Sequence, residues 1–439
     1  MQTSQIQNVK HVLVIGGGPG GCTAATFLAR SGRRVTLLEK GAHPRFHIGE
    51  SLLPMNMPIF ERLGVFDQVK AIGTLKLGAD FPAPNERGYN TFRFARTLNP
   101  GTGYAVQVLR QQLDQLLFQN AVASGVDARE NTEVLKVDFD AGGAVAQIRS
   151  PDGALSSLRA DYIVDATGRN TLLGSAFKLK NRNRTHQSAA LFAHFEGVER
   201  RPGEDAGNIS IYRFQNGWMW MIPLPGEIMS VGAVCYPEYL KQRGGDNADF
   251  LLKTLRHIPD ARARMKNARI VGNLHATGNY SYFCSQMAGP RWLMVGDAYA
   301  FLDPVFSSGV YLAMNSGEQA ARTIDRILDE PRREAALQRA YSRHVKRGLR
   351  RMSWFITRFT TPATQRMFGH PRNLLQLERA MVSMLAGDVF RNRRVWWRLQ
   401  VFKLAYYLTA AKLWQRSARN ARIRKRQVDA MFEGEDLLR

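Results

Sequence analysis

Cysteine is scarce: Cys22, Cys235 and Cys284 are the three in 439 residues. Thiols so few and so far apart form neither a disulfide framework nor a zinc-ligand spacing, so no metal site and a reducing, cytoplasmic compartment are expected. Long hydrophobic runs are missing as well. The first apolar segment, Val12–Ile15, ends at once in glycines. No stretch reaches the roughly eighteen uncharged apolar residues of a membrane span, and Met1–Val9 is too polar for a secretory signal. Acidic residues are outnumbered, 37 Asp and Glu against 61 Lys and Arg, a net charge of +24. The imbalance is local, because residues 331–439 hold 25 Lys and Arg but only 7 Asp and Glu. Such a bias concerns partners and solubility rather than fold. Internal repeats and low-complexity linkers are also lacking, which excludes solenoids and arrays.

What is present is a 44% hydrophobic chain, enough for two or three domains around a shared core. Lys10–Ile15 has the composition of a buried parallel strand, Gly20–Ser31 that of an Ala-rich helix, and Arg34–Glu39 that of a second strand. Leucines at helical spacing predict a helix over Arg110–Ser124, followed by strands Glu133–Phe139 and Ala144–Ile148 around a Gly142-Gly143 turn. Apolar strands are expected at Tyr162–Ala166 and Trp292–Val295, with alternating strands over residues 189–235 between them. A helix is expected from Gly309, and from Arg332 onward the pattern is almost wholly helical. Strands near residues 12, 162 and 293 lie far apart in sequence. The reading is therefore α/β: a Rossmann-like nucleotide domain interrupted by an antiparallel β-sheet domain, with a helical C-terminal region.

Gly16-Gly-Gly18-Pro-Gly-Gly21 is G-x-G-x-x-G between a strand and a helix. Gly16 permits the tight turn, Gly18 lets the backbone approach a pyrophosphate at the positive helix N-terminus, and Gly21 allows close helix–sheet packing. Glu39, ending the second strand, stands where a carboxylate would accept from ribose hydroxyls. Asp165-Ala-Thr-Gly168 and Gly296-Asp297-Ala298, each after an apolar strand, resemble the later motifs of flavin monooxygenases of the p-hydroxybenzoate hydroxylase type. That resemblance covers roughly the first 330 residues and implies FAD. It puts Asp297 at the ribityl chain and Arg110 at the start of a cofactor-contacting helix. Standing alone, Asp297 reads equally as a helix cap and Arg110 as a solvated helix end. The domains so implied are residues 1–185 with 270–330 for FAD, 186–269 for the substrate sheet with help from 71–105, and 331–439 as the basic helical region.

Trp218-Met-Trp220-Met-Ile222-Pro223 is W-x-W-x-I-P and resembles the marker of flavin-dependent halogenases. Period two sets both rings on one strand face, where they could wall flavin from organic substrate; a Trp-rich core strand would show the same pattern. Lys76 matches the lysine that in this family hydrogen-bonds hypohalous acid or takes up its halogen. Asp303-Pro-Val-Phe-Ser-Ser308-Gly309 resembles the halide segment, implying Ser308 and Gly309 as halide ligands, and a Ser-Gly turn at a helix start is also a plain cap. Gly49-Glu50-Ser51 matches the loop over the flavin. The tryptophan halogenases carry a glutamate where this chain has Phe306, so the resemblance is nearer the pyrrole and phenol branch. It implies FADH2 from a separate flavin reductase, O2, chloride or bromide, and an electron-rich aromatic, free or on an acyl carrier protein. A flavin hydroxylase or a geranylgeranyl-reductase-like enzyme of the same fold is the alternative. Arg391–Trp414 interleaves cations with Trp and Tyr, which suits an acidic carrier, an anionic membrane surface met from the cytoplasm, or a solvated bundle face. No nucleic-acid-recognition fold accompanies the charge, and nucleic acid is not expected.

Overall fold

The computed structural model describes residues 9–83, 88–99, 101, 103–182, 188–278, 281–369, 374–390, 392–415, 418 and 422. Its first sheet has the order Ala288–Gly289, Trp292–Met294, Tyr162–Asp165, His11–Ile15, Arg34–Leu38 and Asp127–Arg129. All pairings are parallel except the one at the Ala288–Gly289 edge. Both faces of a parallel sheet are covered, which is why His11–Ile15 is buried at every position.

A second, seven-stranded sheet runs Arg269–Thr277, Ala189–Glu196, Met229–Cys235, Gly217–Pro223, Ile209–Phe214, Gly78–Pro82 and Tyr89–Arg93. It reaches past the expected limit at residue 269, because Arg269–Thr277 pairs with Ala189–Glu196. Strand alternation divides its side chains between two cores. Phe192, Ile211, Trp218, Trp220 and Val234 join the main core shared with the first sheet. Leu191, Tyr212, Met219, Met221 and Val231 meet Phe250, Leu251 and Leu255 of the helix Asn247–Arg256 on the other side.

The C-terminal helices are not an appendage. In the helix Glu334–Ile356, Tyr341 donates to the Met294 carbonyl at 2.7 Å, and Gln338 donates to the Tyr162 hydroxyl at 2.8 Å and the Gly289 carbonyl at 2.7 Å. These bonds tie it to the edge of the first sheet, so the body does not end at residue 330. Among the described residues no helix is long and apolar enough to cross a membrane.

The helix Pro19–Arg30 lies along the helix Gly309–Asp329 at backbone contact. A Cβ on Gly317 would stand 2.4 Å from the Gly20 carbonyl oxygen, and one on Gly21 would stand 1.9 Å from that of Gly16. Both clashes are with backbone and cannot be relieved by a rotamer. Gly317→Ala and Gly21→Ala are expected to lower stability by about 1–3 kcal/mol or more, the usual overpacking cost. Gly309→Ala, whose Cβ would meet nothing within 4 Å, should stay within about 0.5 kcal/mol of the parent. Urea midpoints of the three variants check this.

Candidate active site

One cavity of about 830 Å³ opens between the two sheets. At one end is the turn that begins the helix Pro19–Arg30. Gly16 has φ of +109°, and a Cβ there would meet the Ala166 carbonyl oxygen at 2.4 Å, so only glycine makes this turn. Gly18 lines the cavity and a Cβ on it would meet no protein atom, so its bare backbone faces the space a ligand would take. Glu39 also lines the cavity. It accepts from the Gly17 amide at 2.7 Å, the Gly41 amide at 3.0 Å and Arg45 at 3.2 Å.

Arg110 is not a solvated helix end. It is 5% exposed, gripped by Asp114 in two 2.8 Å bonds, and donates to the Ile48 carbonyl at 2.7 Å. Its guanidinium thereby holds the loop that carries Gly49, Glu50 and Ser51. Glu50 and Ser51 are buried and line the cavity, and His194 pairs with Glu50 at 2.6 Å. Asp297 faces the cavity beside Arg169. Burial pushes its carboxyl up to about 6, opposed by Arg169 and Arg110. Sequence reasoning missed Arg169, which donates to Thr277 at 2.6 Å and Gly278 at 2.9 Å, because a lone arginine after Gly168 carries no motif.

At the other end the helix Gly309–Asp329 points its N-terminus into the cavity, with Ser308 and Gly309 in the wall. Ser308 is buried yet makes no side-chain cap to the helix, which leaves its hydroxyl uncommitted to that task. The residue before it, Ser307, has φ of +55°, a left-handed turn that starts the helix at this spot. Helix N-terminal amides in a desolvated pocket suit an anion.

Trp218 and Trp220 line the same cavity, their ring centroids 5.6 Å apart. Trp220 donates to Ser230 at 3.2 Å and lies over Gly232, where a Cβ would come within 2.3 Å of the ring. Trp218 Nε1 is buried with no partner among the described residues. Lys76 is placed differently. It does not line the cavity but sits one layer behind it, 1% exposed, donating to Ser51 Oγ at 2.8 Å and the Leu52 carbonyl at 2.9 Å. Its neighbour Leu75 is 49% exposed and turned away, while the Phe94 ring lies 5.4 Å from the amine. Burial alone pulls the amine down to about 7. Val345, Leu349 and Phe390 complete the wall, so the basic helical region beyond residue 331 contributes to the cavity.

The cavity fits FAD. It offers bare backbone at a helix N-terminus for the phosphates, carboxylate acceptors in buried Glu39 and half-buried Asp297 for hydroxyls, and an orphaned Trp218 N–H. Gly18→Ala should leave the thermal midpoint of the FAD-free protein unchanged while weakening FAD binding at least tenfold in calorimetric titration. An unchanged affinity would remove the bare backbone as the phosphate cradle.

Known proteins agree with this architecture. The family described as FAD binding domain matches residues 10–353. The flavin-dependent halogenase gsfI of Penicillium aethiopicum is 34% identical over 367 residues, covering 77% of this chain and 68% of the relative. The tryptophan 2-halogenase of Chondromyces crocatus is 33% identical over 355 residues, 78% of this chain and 67% of the relative. The solved structure of the myxobacterial chondrochloren halogenase CndH superposes with a TM-score of 0.76 at 32% identity, covering 91% of this chain and 96% of that one. With an FAD-binding body, a helix N-terminus at the inner end of its cavity, and this likeness over most of its length, the chain belongs to the flavin-dependent halogenases.

Proposed function

We propose that this halogenase installs chlorine or bromine on a phenol- or pyrrole-type ring, with reduced flavin arriving from a separate reductase and Lys76 carrying the halogen to its carbon. The observation that carries the role of Lys76 is a fully buried amine, drawn down to about 7 by burial, one hydrogen bond behind a cavity wall. Burying a cation is costly, so a buried lysine is displaced toward its neutral amine.

Bound reduced flavin supplies the activation of O2 that oxidises halide. The remaining work belongs to the chain. Ser308 and the first amides of the helix Gly309–Asp329 hold the halide. Trp218 and Trp220 keep the aromatic substrate off the flavin, so the oxidised halogen leaves as small, neutral hypohalous acid. In its neutral form the Lys76 amine forms an N–X bond as the O–X bond breaks, and its displaced proton leaves with the hydroxyl as water. The ring then takes X from nitrogen and returns a proton to the amine. Phe306 is buried against Phe359 and offers no carboxylate to assist the ring. Activation is then left to the substrate's own oxygen or nitrogen, which suits a phenol or a pyrrole ring.

A lysine of ordinary pKa would be almost wholly protonated near neutrality, whereas one drawn down to about 7 is about half amine there. Since the deprotonated form acts, halogenated product per flavin oxidised should rise from pH 6 to pH 8 and level off above. Lys76→Ala should lower product by roughly 100-fold, the low end for a positioned proton-transfer or nucleophilic group, with FAD affinity unchanged. Lys76→Arg, which has no neutral form, should not rescue it. A yield falling with pH would assign Lys76 a donor role as ammonium instead, and wild-type yield from Lys76→Ala would end its role altogether.

The aromatic wall has a separate test. Trp218→Ala combined with Trp220→Ala should divert oxidant to hydrogen peroxide and hydroxylated product at the expense of halogenation. Product analysis by mass spectrometry, on protein that retains FAD, reads this. Unchanged yields of all three would show that the two rings separate nothing.

A further inference from the structure

The helix Arg393–Lys412 is apolar on two opposite faces. Val395, Leu399, Phe402 and Tyr406 are buried, and their spacing makes the inward stripe against the neighbouring helices. The outward stripe is also apolar. Trp397, Leu404 and Leu408 fall on one line along the helix, flanked by Trp396 and Tyr407, and Trp414 follows just beyond the end. All six are exposed, from 37% at Trp396 to 65% at Trp414. A core helix needs one such stripe, and among the described residues the Trp397, Leu404 and Leu408 line is turned to solvent.

Cations are set among these rings. Arg351 lies over Trp396 at 4.2 Å, Arg398 over Trp397 at 4.3 Å, and Lys403 within 5.4 Å of both Trp354 and Trp396. Between Asp388 and Asp429 there is no Asp or Glu, while twelve Lys and Arg occur. The helix thus presents leucine along its midline, Trp and Tyr beside it, and positive charge throughout.

We propose that this face docks the enzyme on an anionic lipid bilayer, with the helix lying in the plane of the headgroups. Leu404 and Leu408 enter the acyl boundary, the indoles and the Tyr407 phenol sit at headgroup depth, and the arginines and lysines meet lipid phosphates. Charge complementarity excludes a second copy of this chain, since a twofold contact would set like charges against each other. An acidic protein or a nucleic acid would satisfy the cations but gives less use to a continuous Trp-Leu-Leu line. Phe390, three residues before the helix, lines the catalytic cavity, so a docked enzyme would hold that cavity near the membrane surface. The proposal does not depend on the role of Lys76 or on substrate class.

The test uses the full-length, FAD-loaded protein and vesicles of 70% phosphatidylcholine with 30% phosphatidylglycerol, against pure phosphatidylcholine, in co-flotation at 0.1 M salt. Binding is expected to the anionic vesicles only, with a blue shift of tryptophan emission. It should be weakened but not abolished at 0.5 M salt, because the Debye length falls below about 5 Å while the apolar contact persists. Leu404→Ser with Leu408→Ser should lower partitioning at least tenfold, and Arg393→Ser with Arg394→Ser and Lys412→Ser should do likewise at 0.1 M salt. All five positions are at the surface, and retained FAD and an unchanged circular dichroism spectrum show that the fold is kept. No flotation, or flotation insensitive to the leucine pair, overturns the proposal. So does binding of an acidic carrier protein or a polynucleotide by the same face without vesicle binding, which would assign it to that partner.

Discussion

The backbone contact between the helices Pro19–Arg30 and Gly309–Asp329 is the constraint on which the site depends. Gly20 and Gly317 let the two cylinders touch without side chains between them, and Gly16 and Gly21 let the first helix start directly from its strand. The consequence is geometric: the N-termini of the two helices open into a single cavity. Packing thus decides chemistry before any reactive side chain is considered.

Desolvation is the second organising influence. Asp297 and Lys76 are each shifted toward the neutral form by burial, the carboxyl to about 6 and the amine to about 7. Arg110 and Asp114, by contrast, are buried as a bidentate pair, and Arg110 holds the covering loop in place by its hydrogen bond to the Ile48 carbonyl. The distinction is one of partners. A buried charge with a matched counter-ion is structural, whereas a buried amine facing a hydroxyl and a carbonyl is poised for proton exchange near neutral pH.

The seven-stranded sheet separates support from function by the period of the strand. Met219 and Met221 point into the small second core with the helix Asn247–Arg256, while Trp218 and Trp220, alternating with them, face the cavity. A one-residue slip of Gly217–Pro223 would bury the methionines in the site and turn the tryptophans away. The full antiparallel register of this strand with Met229–Cys235 prevents it. Gly232 enforces the same outcome, since no larger residue fits under the Trp220 ring.

Several of these features were legible in the chain itself. The strand–glycine turn–helix at residues 11–30, the strands at 162 and 292 and the W-x-W strand follow from local pattern, because neighbouring residues alone set their periodicity. So does the net charge of the C-terminal quarter, a matter of composition. Tertiary structure decided where Lys76 stands: not in the cavity wall but behind Ser51, an arrangement made by the pairing of Gly73–Lys76 with Ala105–Val108, short strands with little pattern of their own. It also brought Arg169, Val345 and Phe390 to the cavity from segments that carry no motif, and turned one apolar stripe of the helix Arg393–Lys412 inward and the other to solvent. Sequence shows which stripes and charges a segment carries, since those depend on local spacing. Which of them meets a neighbour depends on contacts with segments well separated along the chain, and only the folded chain brings those together.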